Sequence, residues 1–387
     1  AYEIMPSLVG SEMCKRDRYY SERFKQAGVR KAPRFTGRVG IDWNLDLLEL
    51  ELELEGVGPG ELAEVWQSLR VKRKYHRLRD GSILPLQGED MEQFARLVGA
   101  LELQPSDLKQ ETVPLPKFQA LHLDQLLRDY EMNTVKESVE LVEMVHRIRH
   151  PAETKDQLPP SLKDVLRDYQ KIGFKWMKSL ARYGFGGILA DDLGLGKTVQ
   201  AIAFILSERE ESAAPLPPAL VVAPASLIYN WEAEIKKFAP QLKTLVIAGT
   251  KQERRELLSQ INHVDVAITS YPLLRRDSAD YAALHFSCCF LDEAQYIKNP
   301  NSQTAQCVRK LKAAPRFALS GTPMENSLTE LWSIFQFIMP GYLQSQKKFM
   351  QRYGGRKNTT PGGQGGEAGR HGGKGAPPSP VPGGRTG

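Results

Sequence analysis

The 387-residue sequence has no stretch approaching the roughly 18 unbroken apolar residues that a spanning helix needs, because charges or prolines interrupt every candidate. An integral membrane protein is not expected, and neither is a membrane partner. Cysteine is scarce: Cys14, Cys288, Cys289 and Cys307 show no CxxC spacing, and the adjacent pair sits inside an apolar run. Neither a zinc knuckle nor a disulfide scaffold is supported. The first residues lack a charged segment followed by an apolar one, so a secretory leader is not read. They also lack an initiator Met, and residues are expected to precede Ala1. The expected location is cytoplasmic. Net charge is small where it matters: of the overall +6, the segment from Gly354 to Gly387 carries +4, leaving +2 for the body. The basic balance therefore says little about what the folded part binds.

That last segment has no aromatic, Leu, Ile or Met side chain, and cannot bury enough apolar surface to offset its ordering entropy. Residues 354–387 are expected to be a disordered tail, either a nucleic-acid tether or a solvated linker. The body has 41% hydrophobic and 25% charged residues, ample for packed cores. Punctuation near Pro114 and Pro116, and again over "HPAETKDQLPPS", sets the expected boundaries: an α+β accessory domain over 1–150, a linker over 151–160, and an α/β domain over 161–353.

In the first of these, Leu48, Leu50, Leu52 and Leu54 alternate with Glu49, Glu51, Glu53 and Glu55, the period of a half-buried strand. Leu62, Val65, Trp66 and Leu69 fall at helical spacing, Asp80-Gly81 marks a hairpin turn, and "GEDMEQFARLVGALEL" reads as a second amphipathic helix. The run "KRKYHRLR" from Lys72 to Arg79 is open to two readings, a phosphate grip or an edge strand charged against pairing.

After Ser161 apolar runs alternate with helical stretches, "FGGILA", "ALVVAP", "TLVIAG", "DVAITSY", "CCFLDEA" and "FALSGTP" being the strands. This is the signature of an α/β fold whose parallel sheet is wrapped by helices, with ligands at the carboxyl ends of the strands. Behind the first strand stands Asp191-Asp192-Leu193-Gly194-Leu195-Gly196-Lys197-Thr198. Gly194 and Gly196 let backbone N–H groups wrap a phosphate, Lys197 neutralises terminal phosphates, and Thr198 offers a hydroxyl to Mg²⁺. Asp191 stands where the strict pattern has its first Gly.

Asp292-Glu293-Ala294-Gln295 ends another apolar run, 95 residues after Lys197 (292 − 197). Asp292 there can hold the metal and Glu293 can orient the attacking water. Ser320 and Thr322, in "SGTP" after a third strand, are candidates for coupling nucleotide state to a bound partner. Gln170 in "LRDYQKIGFKWM" is the candidate adenine reader, or a plain surface glutamine of an amphipathic helix.

"LRDYQKIGFKWM", "GGILADDLGLGKTVQAIAFI", "ALVVAPASLIYNWEAEIKKFAP", "AITSYPLL", "LDEAQYIKNP" and "ALSGTPMENSLTELWSIFQFIMPGYL" resemble, in order and spacing, the Swi/Snf-like ATPases among the superfamily-two helicases. "LELELELEG" and "RLRDGSILPL" are similar to the helicase-associated domain that precedes the motor in bacterial members. The resemblance implies a RecA-like lobe, ATP and Mg²⁺ as ligands, and ATP hydrolysis that drives movement along double-stranded DNA. It places Asp192, Gly194, Leu195, Gly196, Lys197 and Thr198 at the nucleotide, and it explains Asp191. Ser226, Thr250, Thr269 and Ser270 become candidate DNA contacts, or plain caps of helices and turns. Transcription or repair proteins are the protein partners implied, and the nucleoid the place.

In the family a second lobe brings an arginine to the γ-phosphate. Past Thr322 the arginines are Arg352, Arg356, Arg370 and Arg385, the last three in the tail. The chain is therefore expected to be a fragment holding the first lobe, binding ATP weakly and hydrolysing it negligibly. The competing reading is a non-enzymatic module that binds DNA or a partner through one RecA-like lobe.

Overall fold

The computed structural model describes residues 30–354 except 59, 193 and 326. Cys14, Leu193 and the Gly/Pro-rich tail with Arg356, Arg370 and Arg385 lie outside the described residues. The chain divides into two units, 1–117 with 123–138, and 118–122 with 139–387.

The first unit holds β1 (Phe35–Asp42), β2 (Leu47–Leu54), α1 (Leu62–Arg70), β3 (Tyr75–Arg77), β4 (Ile83–Pro85), α2 (Glu89–Ala100), β5 (Thr112–Pro116) and β6 (Val135–Glu137). It also holds most of α3 (Ala120–Asp129), whose first three residues count with the second unit. The sheet order is β5-β2-β1-β6, with β2 antiparallel to both neighbours and β6 parallel to β1. The alternation in β2 does what its period requires: Leu48, Leu50, Leu52 and Leu54 are buried and the glutamates between them are exposed. Each buried leucine is worth about 2 kcal/mol. Phe94 of α2 closes this core, edge-on to both Phe35 and Trp66. The prolines that punctuate the sequence at 114 and 116 lie in β5, at the sheet's edge, where a missing N–H costs no ladder bond.

A separate hairpin, β3 with β4, is anchored by buried Leu78 and Leu84 and by a 2.9 Å hydrogen bond between Ser68 Oγ and His76 Nδ1. Between α1 and β3 the helix ends in two crossed bonds, Lys72 N–H to the Leu69 carbonyl and Arg73 N–H to the Ser68 carbonyl. This ending requires a left-handed residue, and Lys72 supplies it at φ 55°. Glycine is the usual occupant, and a side-chain-bearing residue costs roughly 1–2 kcal/mol there.

The second unit contains α4 (Val139–Arg149), α5 (Asp168–Arg182), β7 (Gly187–Leu189), α6 (Lys197–Glu211), β8 (Ala219–Ala223), α7 (Ile228–Phe238), β9 (Thr244–Val246) and α8 (Lys251–Ser259). There follow β10 (Val266–Ser270), α9 (Tyr271–Arg276), α10 (Ser278–Ala283), β11 (His285–Phe286), β12 (Cys289–Asp292), α11 (Gln303–Arg309), β13 (Lys312–Ala313), β14 (Arg316–Leu319), α12 (Leu328–Ile338) and α13 (Gln346–Tyr353). Six strands form one parallel sheet in the order β7-β14-β12-β8-β10-β9. Both faces are covered, which is why these strands read as unbroken apolar runs. On one face Phe204 of α6 meets Phe290 and Phe317; on the other, Leu220, Val222, Leu291 and Ala318 pack with residues of α9, α11 and α12. The α/β class with helices on both faces is thus observed. Among the described residues no helix is long and apolar enough to cross a membrane.

Candidate functional site

Because all six strands run the same way, the loops after β7, β12 and β14 open at one edge of the sheet, with β14 between the other two. Adjacent strands lie about 4.8 Å apart, so residues at the ends of β7 and β12 fall within reach of one small ligand. This placement joins the glycine loop to the acidic pair.

The loop after β7 turns through two left-handed glycines, Gly194 at φ 83° and Gly196 at φ 74°. A Cβ on Gly196 would come within 2.4 Å of the Gln170 amide nitrogen, so both backbone angle and space call for glycine. Gly196 is also the residue before α6, and no side chain caps that helix end. The first N–H groups of a 15-residue helix therefore face the loop without a protein acceptor from the cap, an arrangement suited to an anion. Lys197, 9% exposed, folds over the loop and donates to the carbonyls of Asp191 (2.8 Å) and Asp192 (3.2 Å). Thr198 is half-buried one residue on, and Leu195 offers its carbonyl to two donors, Gln170 Nε2 (2.9 Å) and the Tyr169 hydroxyl (3.0 Å). Gln170 is buried, and its Oε1 accepts the Arg167 N–H at 2.9 Å. It thus ties the start of α5 to the glycine loop. Gln200, not singled out from sequence, donates at 2.9 Å to Asp191 Oδ2 and fixes the loop from below.

Asp292 is the best-held carboxylate at the opposite end of the site. Its Oδ2 accepts the indole N–H of Trp231 at 2.8 Å, its Oδ1 the Glu293 N–H at 3.0 Å, and its carbonyl the Tyr271 hydroxyl at 2.6 Å. Burial raises the Asp292 carboxyl above the usual carboxylate range; the Trp231 hydrogen bond and the nearby Lys197 ammonium pull it back down. The Lys197 charge thus acts on Asp292 through space, as expected of loops that open at the same edge of one sheet. Tyr271 is itself buried and stacks on Tyr296, the rings 4.9 Å apart and within 4° of parallel.

Glu293 follows in a left-handed conformation (φ 48°), which swings its side chain off the strand direction. Gln295 Nε2 donates to Glu293 Oε2 at 2.7 Å, while Ser320 Oγ donates to Gln295 Oε1 at 3.1 Å. The Thr322 N–H then donates to Ser320 Oγ at 3.2 Å. A continuous chain of hydrogen bonds therefore links the acidic pair to the loop after β14, with Gln295 as its middle member. Sequence reasoning left Gln295 without a role. A glutamine amide both donates and accepts, which is what this position uses.

Of the four hydroxyls expected at DNA, Ser226 is exposed in the loop between β8 and α7, and Thr250 is exposed but caps α8, accepting the Glu253 N–H at 3.4 Å. Thr269 and Ser270 call for a correction. They are 0% and 1% exposed at the end of β10, and Thr269 Oγ1 donates to the Ile247 carbonyl at 3.3 Å. A sheet buried on both faces turns neither hydroxyl to solvent, so neither can touch DNA in this structure. Trp231 and Tyr271 are the residues the sequence reading missed. Both lie within quoted motifs, but their partner is 61 and 21 residues away, a distance no periodicity reveals.

A glycine loop at a helix N-terminus, a buried lysine and a strand-end carboxylate pair on one parallel sheet define a nucleotide-binding α/β domain. The family model for the SNF2-related domain matches residues 169–367, half of the chain, and that for the bacterial SNF2 helicase-associated domain matches 17–159. The chain belongs to the SNF2-related family of ATPases. It is 43% identical over 198 residues to YwqA of Bacillus subtilis, named as a candidate ATP-dependent helicase/translocase; the match covers 51% of this chain and 21% of YwqA. It is 38% identical over 222 residues to the TATA-binding protein-associated factor MOT1 of Saccharomyces cerevisiae, covering 54% of this chain and 12% of that protein. A solved structure, the Sulfolobus solfataricus SWI2/SNF2 ATPase core in complex with dsDNA, is 40% identical and covers 49% of this chain and 38% of that one, with a TM-score of 0.45. The chain thus spans about a fifth or less of the length of these two relatives.

Proposed function

We propose that this chain is the nucleotide-binding part of an ATP-driven motor that moves along double-stranded DNA. The observation that carries the reading is the convergence of Lys197 with Asp292 and Glu293 at one sheet edge, reinforced by the Lys197 charge acting on Asp292. Membership of the SNF2-related family and the relative named for ATP-dependent translocation support ATP as the ligand; duplex DNA as the track is what the resemblance to Swi/Snf-like ATPases implies. As in the relatives named for association with TATA-binding protein, transcription proteins are the candidate protein partners; repair proteins are the alternative.

In this reading Gly194, Leu195 and Gly196 present backbone N–H groups to the phosphates beside Asp192. Lys197 releases its two loop carbonyls to bind the terminal phosphate, and Gln170 keeps the loop in shape, its long 3.5 Å bond to the Tyr169 hydroxyl being the one to exchange for the base edge. Mg²⁺ fits the donors present: Thr198 and Asp292 offer hard oxygens, and no cluster of three His, Cys, Asp or Glu occurs among the described residues. A metal of this kind is held by one or two carboxylates together with the substrate's own phosphates. When bound, it neutralises charge that develops on the phosphates. Glu293 orients the attacking water, with Gln295 fixing one of its oxygens, and Ser320 and Thr322 pass the nucleotide's presence to the loop after β14. An arginine acting on the γ-phosphate is worth about 10³ to 10⁵ in turnover in related systems. With none of this chain's arginines assigned that role, its hydrolysis is expected to be slow.

Titrating a fluorescent ATP analogue with Mg²⁺ into wild type and Lys197→Ala tests the reading. Loss of a charged hydrogen-bond donor predicts affinity weaker by about 10- to 100-fold. Equal binding by the two proteins would instead favour a non-enzymatic module, and DNA-stimulated turnover at ordinary enzyme rates would overturn the expectation of slow hydrolysis.

A further inference from the structure

The first unit carries a surface that the nucleotide site does not use. From the end of α1 through β3 the chain places Arg70, Lys72, Arg73, Lys74 and Arg77 within eight residues, all exposed, with no acidic residue among them. The acids nearby are engaged elsewhere. Glu61 accepts the Arg79 N–H at 2.6 Å, Glu64 pairs with the Arg79 guanidinium at 2.7 Å, and Asp80 pairs with Arg30. Among the described residues, Lys72, Arg73, Lys74 and Arg77 make no ion pair or side-chain hydrogen bond. Tyr75 stands outward between them, 56% exposed, on the same face of β3 as Arg77.

Protection of a strand edge explains only part of this. The strand spans three residues, of which Arg77 alone is an outward cation, while the other outward position is an aromatic ring. Arg70, Lys72, Arg73 and Lys74 precede the strand. Favourable charge at the C-terminus of α1 explains one or two of them. Lys72 occupies a left-handed helix end, as Glu102 and Glu131 do after α2 and α3, so glycine can replace it without loss of the turn. The backbone of the segment is also held, by Leu78 and Leu84 beneath and by His76 on Ser68, so it needs no refolding to present its cations to an array of anions.

We infer that the α1–β3 turn and its hairpin form a second nucleic-acid contact, separate from the motor's sheet, that grips the phosphate backbone of double-stranded DNA. Lys72, Arg73, Lys74 and Arg77 neutralise phosphates, and the Tyr75 hydroxyl donates to a phosphate or sugar oxygen. The grip carries no base readout, as suits a partner that moves along any sequence. The choice of duplex DNA among polyanions rests on the proposed motor function.

The test is the salt dependence of binding to a labelled duplex by the full chain, comparing wild type, Lys72→Gly, the triple variant Lys72→Gly/Arg73→Ser/Lys74→Ser, and Lys197→Ala. The triple variant is expected to lower the slope of log affinity against log salt by about 2 to 3, and Lys72→Gly by about 1. Lys72→Gly is expected to melt no lower than wild type, since it relieves strain, so its weaker binding cannot be charged to unfolding. Lys197→Ala is expected to bind the nucleotide more weakly and keep the wild-type slope. A folded triple variant with unchanged slope on duplex DNA overturns the inference. So does a slope loss seen on vesicles of acidic lipid and not on duplex DNA. Failure of wild type to bind the ATP analogue, with the slope loss intact, would overturn the motor reading and leave this surface standing.

Discussion

The two units differ in where the charges relevant to function lie. In the first, apart from buried Lys117 and Asp124, ionic groups stand on the outward faces of a half-solvated sheet and a hairpin, and its pair Arg79–Glu64 is open to solvent on both sides, at 64% and 47% side-chain exposure. In the second, the ionic groups that matter are buried and fully engaged: Lys197, Asp292, and the pair Arg254–Asp277, whose residues are 4% and 7% exposed. Arg254 there spans α8 and the start of α10, with Nε and Nη2 on the Asp277 carboxylate and Nη1 on the Gly249 carbonyl. Exposed charges suit a partner that is itself a polyelectrolyte, because each acts through displaced counterions. Buried ones suit a small ligand, because each must already be aimed.

Breaking one pair in each unit probes this contrast most strongly. Arg254→Ala leaves Asp277 buried without its cation and is expected to destabilise the second unit by about 3 kcal/mol, measured as a shift of its urea midpoint. Arg79→Ala should leave the first unit's midpoint where it was. Equal shifts would erase the distinction. A smaller effect is expected of Trp231→Phe, which preserves bulk but removes the donor on Asp292 Oδ2. The Mg²⁺ concentration needed to support ATP-analogue binding should rise by about tenfold or more, and an unchanged requirement would remove Trp231 from the site.

Smaller again is Thr250→Ala. It deletes the cap of α8 and should cost about 1 kcal/mol of stability. A loss of DNA affinity without a loss of stability would mean that Thr250 works as a contact. The smallest effect is on thiol chemistry. Burial pushes the Cys288 thiol up to about 12, and Cys289 beside it higher still. At neutral pH both should resist alkylation in the folded protein and react in urea, while half-buried Cys307 reacts first. Because the folded thiols ionise later than the unfolded ones, stability should fall as pH rises from about 9 toward 12. An alkaline limb flat over that range would contradict the burial.

The sequence announced the period-two leucines of β2, the apolar runs of the parallel sheet and the glycine loop, because each is a local pattern with one physical cause. Depth was not local. Thr269 and Ser270 sit in a strand covered on both faces, where alternation no longer distinguishes inside from outside. Pro114 and Pro116 read as punctuation, yet an edge strand tolerates them, and which strand lies at an edge is decided by pairing across the whole sheet. The bonds from Trp231, Tyr271 and Gln295 were hidden for the same reason: they exist only once distant strands are side by side.

The indole on Asp292 also makes the site observable without a dye. Of the five tryptophans, Trp231 alone donates its N–H to the carboxylate proposed to take up the metal, and it is 1% exposed. Its emission maximum should sit far to the blue, and any redistribution of charge on that carboxylate must alter the excited ring's energy. A chain keeping only this fluorophore would thus report, in real time and from within the protein, the instant at which the nucleotide and its counter-ion arrive.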